Sequence, residues 1–360
     1  MSILEKLYDR SDPSKWAHPE IADQFGFLAS MDSGLDGLYD LDQPFERRKE
    51  TRDKFDAYVT NLYASDPESP AFKRREVYQA PGCPEEPETP VEIVVYRPTE
   101  TKRKRKLPIL FNVASGGMAL VAIESANIYR QADDLDCIVV SPRYRQTFQA
   151  KYPGAINDLH AGYQWIMEHA AELGADNRKI TLFGTSSGSF LALSLAYRLK
   201  RYGFHPRGAV VVCSHVDNRP IYPTSRITNG NDFNANILWR SSIEYLGENR
   251  FPGDLDGEAY PIYATAEETV GLCPVFIHTD GEESNEAGIH AYAPILQEAG
   301  VFHEVHVWGG SDHAALNQFL ASDATCPYAE RHVSIVYGNI RDCWQYDLRR
   351  TWIQELAQEQ

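Results

Sequence analysis

A serine flanked by glycines is the residue of this chain whose type and surroundings most clearly suggest chemistry. Ser186 lies in Gly184-Thr-Ser-Ser-Gly188, which follows the apolar run Ile180–Phe183 and precedes a stretch of helix-forming residues. A Gly-x-Ser-x-Gly pattern between a strand and a helix is typical of a nucleophile elbow, a tight turn that lifts the serine hydroxyl above the sheet. A Cβ at either glycine would crowd the neighbouring strand and helix. The pattern therefore predicts Ser186 as a nucleophile, with a Gly/Ser-rich turn without chemistry as the alternative.

A serine nucleophile also needs a base to accept its proton and a carboxylate to orient that base. An acidic turn, Asp280-Gly-Glu-Glu-Ser284, follows the predicted strand Pro274–Thr279, and His313 lies in the turn after the predicted strand Val301–Trp308. Serine, acid and histidine follow one another in the chain order of α/β-hydrolases. We therefore expect His313 to act as the base.

A glycine pair after a third predicted strand supplies candidate oxyanion donors. Leu107–Val113 runs into Ala114-Ser-Gly-Gly117, and glycines there can turn their backbone N–H groups toward developing negative charge. The amides of Gly116 and Gly117, with that of Ser187 after the nucleophile, are the predicted oxyanion hole. A plain tight turn is the alternative for the glycine pair.

The elements that must position these residues alternate between strand and helix. Strands are predicted over 76–80, 91–98, 107–113, 137–142, 180–183, 207–213, 274–279 and 301–308, and helices over about 155–173, after the elbow, over about 287–299 and around 344–356. Further helical pieces are plausible at 19–30 and 45–63. Such alternation predicts an α/β fold with a mostly parallel sheet covered by helices on both faces. Residues 216–270 interrupt it with Asn, Asp, Gly and Pro, as in a lid or, alternatively, a long surface excursion.

Composition narrows the function classes. The 360 residues carry 43% hydrophobic and 11% aromatic side chains, as expected of an ordered globular protein, and a formal net charge of −16. That charge repels nucleic acid and anionic membrane surfaces. The basic run Lys102–Lys106 is interpreted as a solvated hairpin loop rather than a nuclear-import signal or nucleic-acid patch. We expect no nucleic-acid partner and no membrane insertion.

Cysteine usage and the chain start point to the cytoplasm. Six cysteines are scattered without a Cys-x-x-Cys pair, and His303 and His306 have opposite parity along one strand, so neither group has metal-ligand spacing. The first residues lack the apolar core of a signal peptide, and no apolar run of ~18 residues exists. The sequence predicts a cytoplasmic protein with no cofactor and no metal.

Several blocks resemble the hormone-sensitive-lipase-like carboxylesterases of the α/β-hydrolase superfamily, over roughly residues 76–320. Val91–Pro98 looks like the family's second strand, and Gly184–Ser189 matches its Gly-Asp-Ser-Ala-Gly-Gly. Arg143-Tyr-Arg-Gln-Thr-Phe-Gln-Ala-Lys-Tyr-Pro-Gly-Ala-Ile-Asn-Asp158 resembles Asp-Tyr-Arg-Leu-Ala-Pro-Glu-x-x-Phe-Pro-Ala-Ala-x-x-Asp, with arginine at the leading aspartate. The resemblance implies an α/β-hydrolase fold and Ser186 as nucleophile.

The resemblance also bears on the acid and the oxyanion loop. The family's acid lies nine residues before a tyrosine, which from Tyr292 points to Glu283, with Asp280 as the alternative because it follows the strand directly. The family's His-Gly-Gly-Gly reads Ala114-Ser-Gly-Gly here, so the two donor glycines are kept and the bracing histidine is replaced.

The resemblance further implies a helical cap built from residues 1–75 and 216–270, on a core of 76–215 and 271–360 that ends in a helix. The aromatic and leucine content of the cap segments suggests an apolar acyl or aromatic substrate. The predicted function is a serine hydrolase cleaving a carboxylic ester or lactone of a small molecule, and a homodimer is a state that the resemblance allows. A hydrolase-fold small-molecule binding protein and acyl transfer or lactone chemistry on a specialised metabolite remain open.

Overall fold

An eight-stranded sheet forms the centre of the protein. The computed structural model describes residues 43–63, 74–101, 105–119, 126–219, 241–247, 255–280, 286–309 and 327–348. The strands are β1 Arg75–Ala80, β2 Val91–Tyr96, β3 Leu107–Val113, β4 Ile138–Pro142, β5 Ala175–Thr185, β6 Gly208–Val212, β7 Val275–Asp280 and β8 His303–Trp308. Their order is β1-β2-β4-β3-β5-β6-β7-β8. β1 and β2 pair antiparallel, β2 is antiparallel to β4, and all later pairings are parallel.

Helices connect the parallel strands. They are α1 Phe45–Tyr63, α2 Ala126–Leu135, α3 Gly154–His169, α4 Ser187–Arg201, α5 Ala266–Thr269, α6 Glu286–Glu298 and α7 Pro327–Gln345. A 3₁₀ turn spans Pro261–Tyr263, and residues 241–246 are helical. None of the helices that the structure describes is both long and apolar enough to cross a membrane.

Helices cover both faces of the sheet. Because successive side chains of each central strand point to opposite faces, the side chains on both faces are buried. Ile109 and Phe111 of β3 pack with the helices α3 and α4, whereas Leu110 between them packs with α2 and α7. The near-continuous apolar runs of the strands follow from this two-sided burial. The prediction of a mostly parallel α/β sheet with helices on both faces is confirmed.

Individual boundaries differ from the sequence predictions. β5 begins at Ala175 rather than Ile180, and α3 ends at His169 rather than Leu173. α7 was not predicted, and the helix expected around residues 344–356 lies mostly outside the described residues, as does the one at 19–30.

Candidate active site

The nucleophile elbow has a strained backbone. Ser186 joins β5 to α4 with φ 53° and ψ −127°, and a positive φ is unfavourable for a residue with a side chain. Its N–H donates to the Val212 carbonyl of β6 at 3.0 Å. Surrounding contacts thus hold the serine in the conformation expected of a residue raised above the carboxyl edge of the sheet.

Both glycines of the elbow are required by close backbone contacts. A Cβ on Gly184 would lie 2.2 Å from the Gly188 carbonyl oxygen, and one on Gly188 would lie 2.1 Å from the Val113 carbonyl oxygen. Real Cβ atoms do not approach backbone atoms so closely. The crowding predicted from the Gly-x-Ser-x-Gly pattern is therefore present, and Gly188 brings the elbow against the end of β3.

Helix α4 begins at Ser187, so the Ser187 amide is among the first-turn donors that have no partner within the helix. The same helix end carries the positive pole of the helix dipole. The Ser189 N–H and hydroxyl donate to the Ser186 carbonyl at 2.9 and 2.5 Å, which fixes the direction of the turn. The Ser187 N–H is placed beside the Ser186 side chain by its position in the chain.

The predicted oxyanion loop turns through three successive positive φ angles. Gly116, Gly117 and Met118 have φ of 134°, 61° and 63°, a run that only glycine adopts without strain at the first position. The Ala119 N–H donates to the Gly116 carbonyl at 3.2 Å, and the Thr147 N–H donates to the Met118 carbonyl at 2.8 Å. Because β3 and β5 are neighbours in the sheet, this loop and the elbow lie at the same edge.

Tyr144 is a contributor to this loop that the sequence analysis did not single out. Its hydroxyl donates to the Ala114 carbonyl at 2.7 Å, and its side chain is buried. Burial raises the pKa of Tyr144 while the nearby Ser187 hydroxyl lowers it, so the phenol keeps its proton. The sequence does offer one signal for Tyr144. It lies in the Arg143–Asp158 signature block, and the loop that it contacts lacks the family's histidine.

A carboxylate fixes the segment that carries Tyr144. Buried Asp158 accepts from the Arg145 N–H at 2.6 Å and from the Arg145 Nε at 2.9 Å. Burial raises the pKa of Asp158, and the Arg145 hydrogen bonds oppose that rise. Arg145 also pairs with Glu86 in the loop between β1 and β2. The first and last parts of the signature block are thus joined directly.

The carboxyl ends of β6 and β7 lie at the same edge of the sheet, next to the elbow. The Cys213 N–H donates to the His278 carbonyl at 2.8 Å, and Cys213 has φ 50°. Asp280 is buried at the last position of β7 and alternates onto the same face as His278, which bonds Asn339 of α7. Glu283 and His313 lie outside the residues that the structure describes.

Segments of the predicted cap contact the core near the elbow. Glu244 pairs with Arg48 of α1 at 2.5 Å and also with Lys151, and the Tyr152 N–H donates to the Tyr245 carbonyl at 2.7 Å. One carboxylate therefore links α1, the helical segment 241–246 and the loop that follows β4.

Aromatic rings cover the start of helix α4. Phe190 stacks on Tyr260 with centroids 4.6 Å apart and meets the edge of Tyr245 at 5.3 Å. Tyr245 and Tyr260 belong to two separate parts of the insertion that the structure describes, 241–247 and 255–280. They place apolar surface within one helical turn of the predicted nucleophile.

A family described as alpha/beta hydrolase fold matches residues 115–317, which is 203 of 360 residues. Esterase LipI of Mycobacterium tuberculosis is 25% identical over 312 residues, covering 80% of this chain and 83% of that esterase. Hormone-sensitive lipase of Ictidomys tridecemlineatus is 31% identical over 109 residues, covering 30% of this chain and 14% of the lipase. A solved structure described as a bacterial heroin esterase has a TM-score of 0.67 at 26% identity, covering 84% of this chain and 93% of that one.

The chain belongs to the α/β-hydrolase fold family, because that family matches more than half of its length. Within it, the relatives support the hormone-sensitive-lipase-like carboxylesterases, as the signature blocks predicted.

Proposed function

We propose that the protein is a serine hydrolase that cleaves the carboxylic ester of a small, largely apolar molecule through an acyl-enzyme on Ser186. The observation that carries the proposal is the strained Ser186 backbone between two glycines that tolerate no Cβ. Strain of about 1–3 kcal/mol persists only where the surroundings impose it, and such residues cluster at active sites.

The proposed reaction uses Ser186, His313 and three backbone amides. The Ser186 Oγ attacks the ester carbonyl carbon, the π electrons move onto the carbonyl oxygen, and His313 takes the hydroxyl proton. The amides of Gly116, Gly117 and Ser187 donate to that oxyanion. Collapse of the tetrahedral intermediate breaks the bond to the alcohol, which leaves with the proton from His313. Water then hydrolyses the acyl-enzyme by the same two steps, with His313 again as base.

Glu283 is the proposed acid that orients His313. Asp280 ends β7 on the face that packs toward α7, whereas Glu283 follows in the turn beyond the strand. Loss of a triad acid drops kcat by about 10⁴-fold. We therefore expect Glu283→Gln to lose about that much ester hydrolysis and Asp280→Asn to lose much less; the opposite ranking would transfer the role to Asp280.

We also propose a cap, a compartment and an oligomeric state for this enzyme. Residues 1–75 and 216–270 would form the cap over the site, consistent with the Arg48–Glu244 ion pair and the aromatic rings on α4. The substrate would be a small ester, free in the cytoplasm, and a homodimer is compatible with the family. No disulfide joins any cysteine in the described part of the chain, in keeping with that compartment.

Intact-protein mass spectrometry after treatment with a fluorophosphonate tests the central claim. We expect one adduct on the wild type and none on Ser186→Ala, which should also lose ester hydrolysis by about 10⁴-fold or more. A well-folded wild type that takes no adduct and releases no acid from short-chain aryl esters would rule the proposal out and favour a binding protein.

A further inference from the structure

A cysteine, a glutamate and a histidine that are distant in sequence lie together at one end of the β1–β2 hairpin. Cys83 and Glu85 belong to the loop between these strands, and His160 belongs to α3. One potential ligand atom from each lies within 4.8 Å of the others. The sequence shows no metal-ligand spacing at these residues, because only the fold brings His160 to the Cys-x-Glu pair.

His160 has the environment of a ligand without a partner. It is fully buried, and neither ring nitrogen makes a hydrogen bond to any residue that the structure describes. Its Nδ1 lies 3.8 Å from the Glu85 carboxylate, too far for a hydrogen bond. Leaving a buried polar atom unsatisfied costs about 1–3 kcal/mol. Some group that accepts the imidazole lone pair would remove this cost.

The ring of His160 is held in place by two aromatic neighbours. Tyr202 and Phe204 pack against it with centroids 4.5 and 6.2 Å away. Such packing restricts rotation of the ring, so its nitrogens stay close to Cys83 and Glu85.

Prolines and a tight turn restrain the loop that carries the other two groups. It contains four prolines between Pro81 and Pro90, and the Glu86 N–H closes a turn onto the Cys83 carbonyl at 3.0 Å. A Cβ on Gly82 would lie 1.9 Å from the Glu86 carbonyl oxygen, so only glycine fits there. Cys83 is buried and lies two residues before Glu85, so the turn fixes the spacing of sulfur and carboxylate.

Glu85 already has two partners, Arg198 and Tyr202, which a bound cation would share or displace. Arg198 lies 3.3 Å from Glu85 but also pairs with buried Glu258, which Arg201 shares. Glu258 can therefore keep Arg198 paired when Glu85 turns to a cation. The Tyr202 hydroxyl donates to Glu85. It would orient the carboxylate, as hydrogen-bonding neighbours of metal ligands do.

We propose that Cys83, Glu85 and His160 bind a divalent cation of the zinc class, which ties the β1–β2 loop to helix α3. Sulfur, imidazole and carboxylate together are ligands that Zn²⁺ takes, whereas Mg²⁺ and Ca²⁺ prefer oxygen alone. Ligand atoms around tetrahedral Zn²⁺ are about 3.3–3.8 Å apart, so shifts on the order of 1 Å close the cluster. Water would fill the fourth position on the side where Glu85 is exposed.

Cobalt(II) titration of the full-length protein, stripped with a chelator and dialysed, tests the proposal. Thiolate-bound Co²⁺ absorbs in the near ultraviolet, and we expect this band to saturate at one ion per chain and to vanish when Zn²⁺ is added. Cys83→Ser should abolish the band. His160→Gln should weaken Co²⁺ affinity by more than about 100-fold, since loss of a residue that only hydrogen-bonds to a metal ligand already lowers metal affinity by about 10–100-fold. Glu85→Gln, at a partly exposed position that threatens folding least, should also weaken binding.

Two variants serve as matched controls. Cys273→Ser removes another buried cysteine, and His169→Gln removes another histidine of α3; both should keep the band and the affinity. Binding of several weak ions without a thiolate band, or binding that survives in both Cys83→Ser and His160→Gln, would overturn the assignment. If Cys83→Ser does not fold, unchanged affinity in folded Glu85→Gln and His160→Gln would overturn it equally.

Discussion

At the scale of single residues, Tyr144 holds the predicted oxyanion loop where the family places a histidine. The loop begins at Ala114, whose methyl group cannot hydrogen-bond, yet the Ala114 carbonyl is fixed by the Tyr144 hydroxyl at 2.7 Å. Tyr144 itself is fixed because the adjacent Arg145 bonds Asp158. A residue of the signature block, next to the neighbouring strand β4, thus holds the start of the loop. This contact could replace the family's histidine in positioning the predicted donor amides.

Replacing Tyr144 by phenylalanine should slow catalysis without weakening substrate binding. The change removes one oxygen and leaves the Ala114 carbonyl without its donor, which costs about 1–3 kcal/mol. The amides of Gly116 and Gly117 would shift relative to the oxyanion, and complete loss of one such donor costs about 10²–10³-fold in kcat. We expect about a 10-fold drop in kcat in aryl-ester hydrolysis, with KM changed less than twofold.

Tyr163→Phe is the control for this prediction. Tyr163 is also buried, in α3 against Phe111, and no hydrogen bond of its hydroxyl is seen within the described residues. It should leave both kcat and KM unchanged. A Tyr144→Phe enzyme with wild-type kcat, or one that loses only thermal stability, would show that the hydrogen bond supports folding and does not position the loop.

Short sequence patterns predict candidate reacting residues, but they do not predict the residues that hold them in place. Ser186 and the glycine pair stand in such patterns. Tyr144 works through a bond to a backbone carbonyl on another strand, and any hydroxyl in reach could have done so. His160 gave no signal for the same reason, because its neighbours come from a different part of the chain.

At the scale of elements, the glycines decide how closely strands and helices approach. Gly188 in the first turn of α4 lies against the end of β3, where an added Cβ would be 2.1 Å from one carbonyl oxygen and 2.8 Å from the next. Gly338 in α7 has nothing within 4 Å of such a Cβ. The same substitution should therefore have opposite effects on the two helices.

Gly188→Ala should destabilise the protein and Gly338→Ala should stabilise it. The first forces backbone against backbone, and overpacking of this kind costs about 3 kcal/mol. The second replaces glycine by alanine inside a helix, which gains about 0.5–1 kcal/mol. Chemical denaturation of both variants measures the free energies of unfolding, and fluorophosphonate labelling should be lost only in Gly188→Ala. A Gly188→Ala protein as stable as the wild type would contradict this account of the elbow.

Element boundaries were predictable where the apolar pattern was continuous. β3 was placed at the observed residues because Leu107–Val113 is apolar except for one proline and one asparagine. β5 starts earlier than predicted because Ala175–Lys179 is polar and extends the strand by backbone pairing, as Ala175 does with Leu107. α7 was missed because its sequence mixes charged and apolar residues, and its burial comes from packing on the sheet through Val336, Tyr337 and Ile340.

At the scale of the whole molecule, a group of buried histidines joins the last strands to α7. The Nδ1 of His278 accepts from Trp308 at 3.2 Å, and its Nε2 lies 2.8 Å from the Asn339 oxygen. His306, paired with Glu304, stacks on His278 at 4.6 Å, and His332 stacks on Trp308 at 3.9 Å. Burial lowers the pKa of His278 to about 3 and that of His332 to about 2.

These two histidines should make the fold sensitive to acid. Their pKa values in the folded protein lie below the ordinary value near 6.5, so between about pH 6.5 and pH 3 the unfolded chain binds protons that the folded one does not. The contribution of these two histidines to the free energy of unfolding is therefore fully present above pH 6.5. It is lost as the pH falls, by up to about 1.4 kcal/mol per pH unit for each histidine. Urea unfolding between pH 7 and pH 4.5 should show a steadily falling free energy of unfolding.

His332→Phe separates this linkage from ordinary packing. Phenylalanine keeps a ring against Trp308 but binds no proton, so the slope of the free energy of unfolding against pH should fall by about 1.4 kcal/mol per unit below pH 6. Titration of Asp158 and the other carboxyl groups contributes equally to both proteins and cancels in the difference. His290→Gln, at an exposed position of α6, should leave the slope unchanged. An unaltered slope in His332→Phe would mean that His332 is protonated in the folded protein, and that the cluster is held by charge instead of by burial.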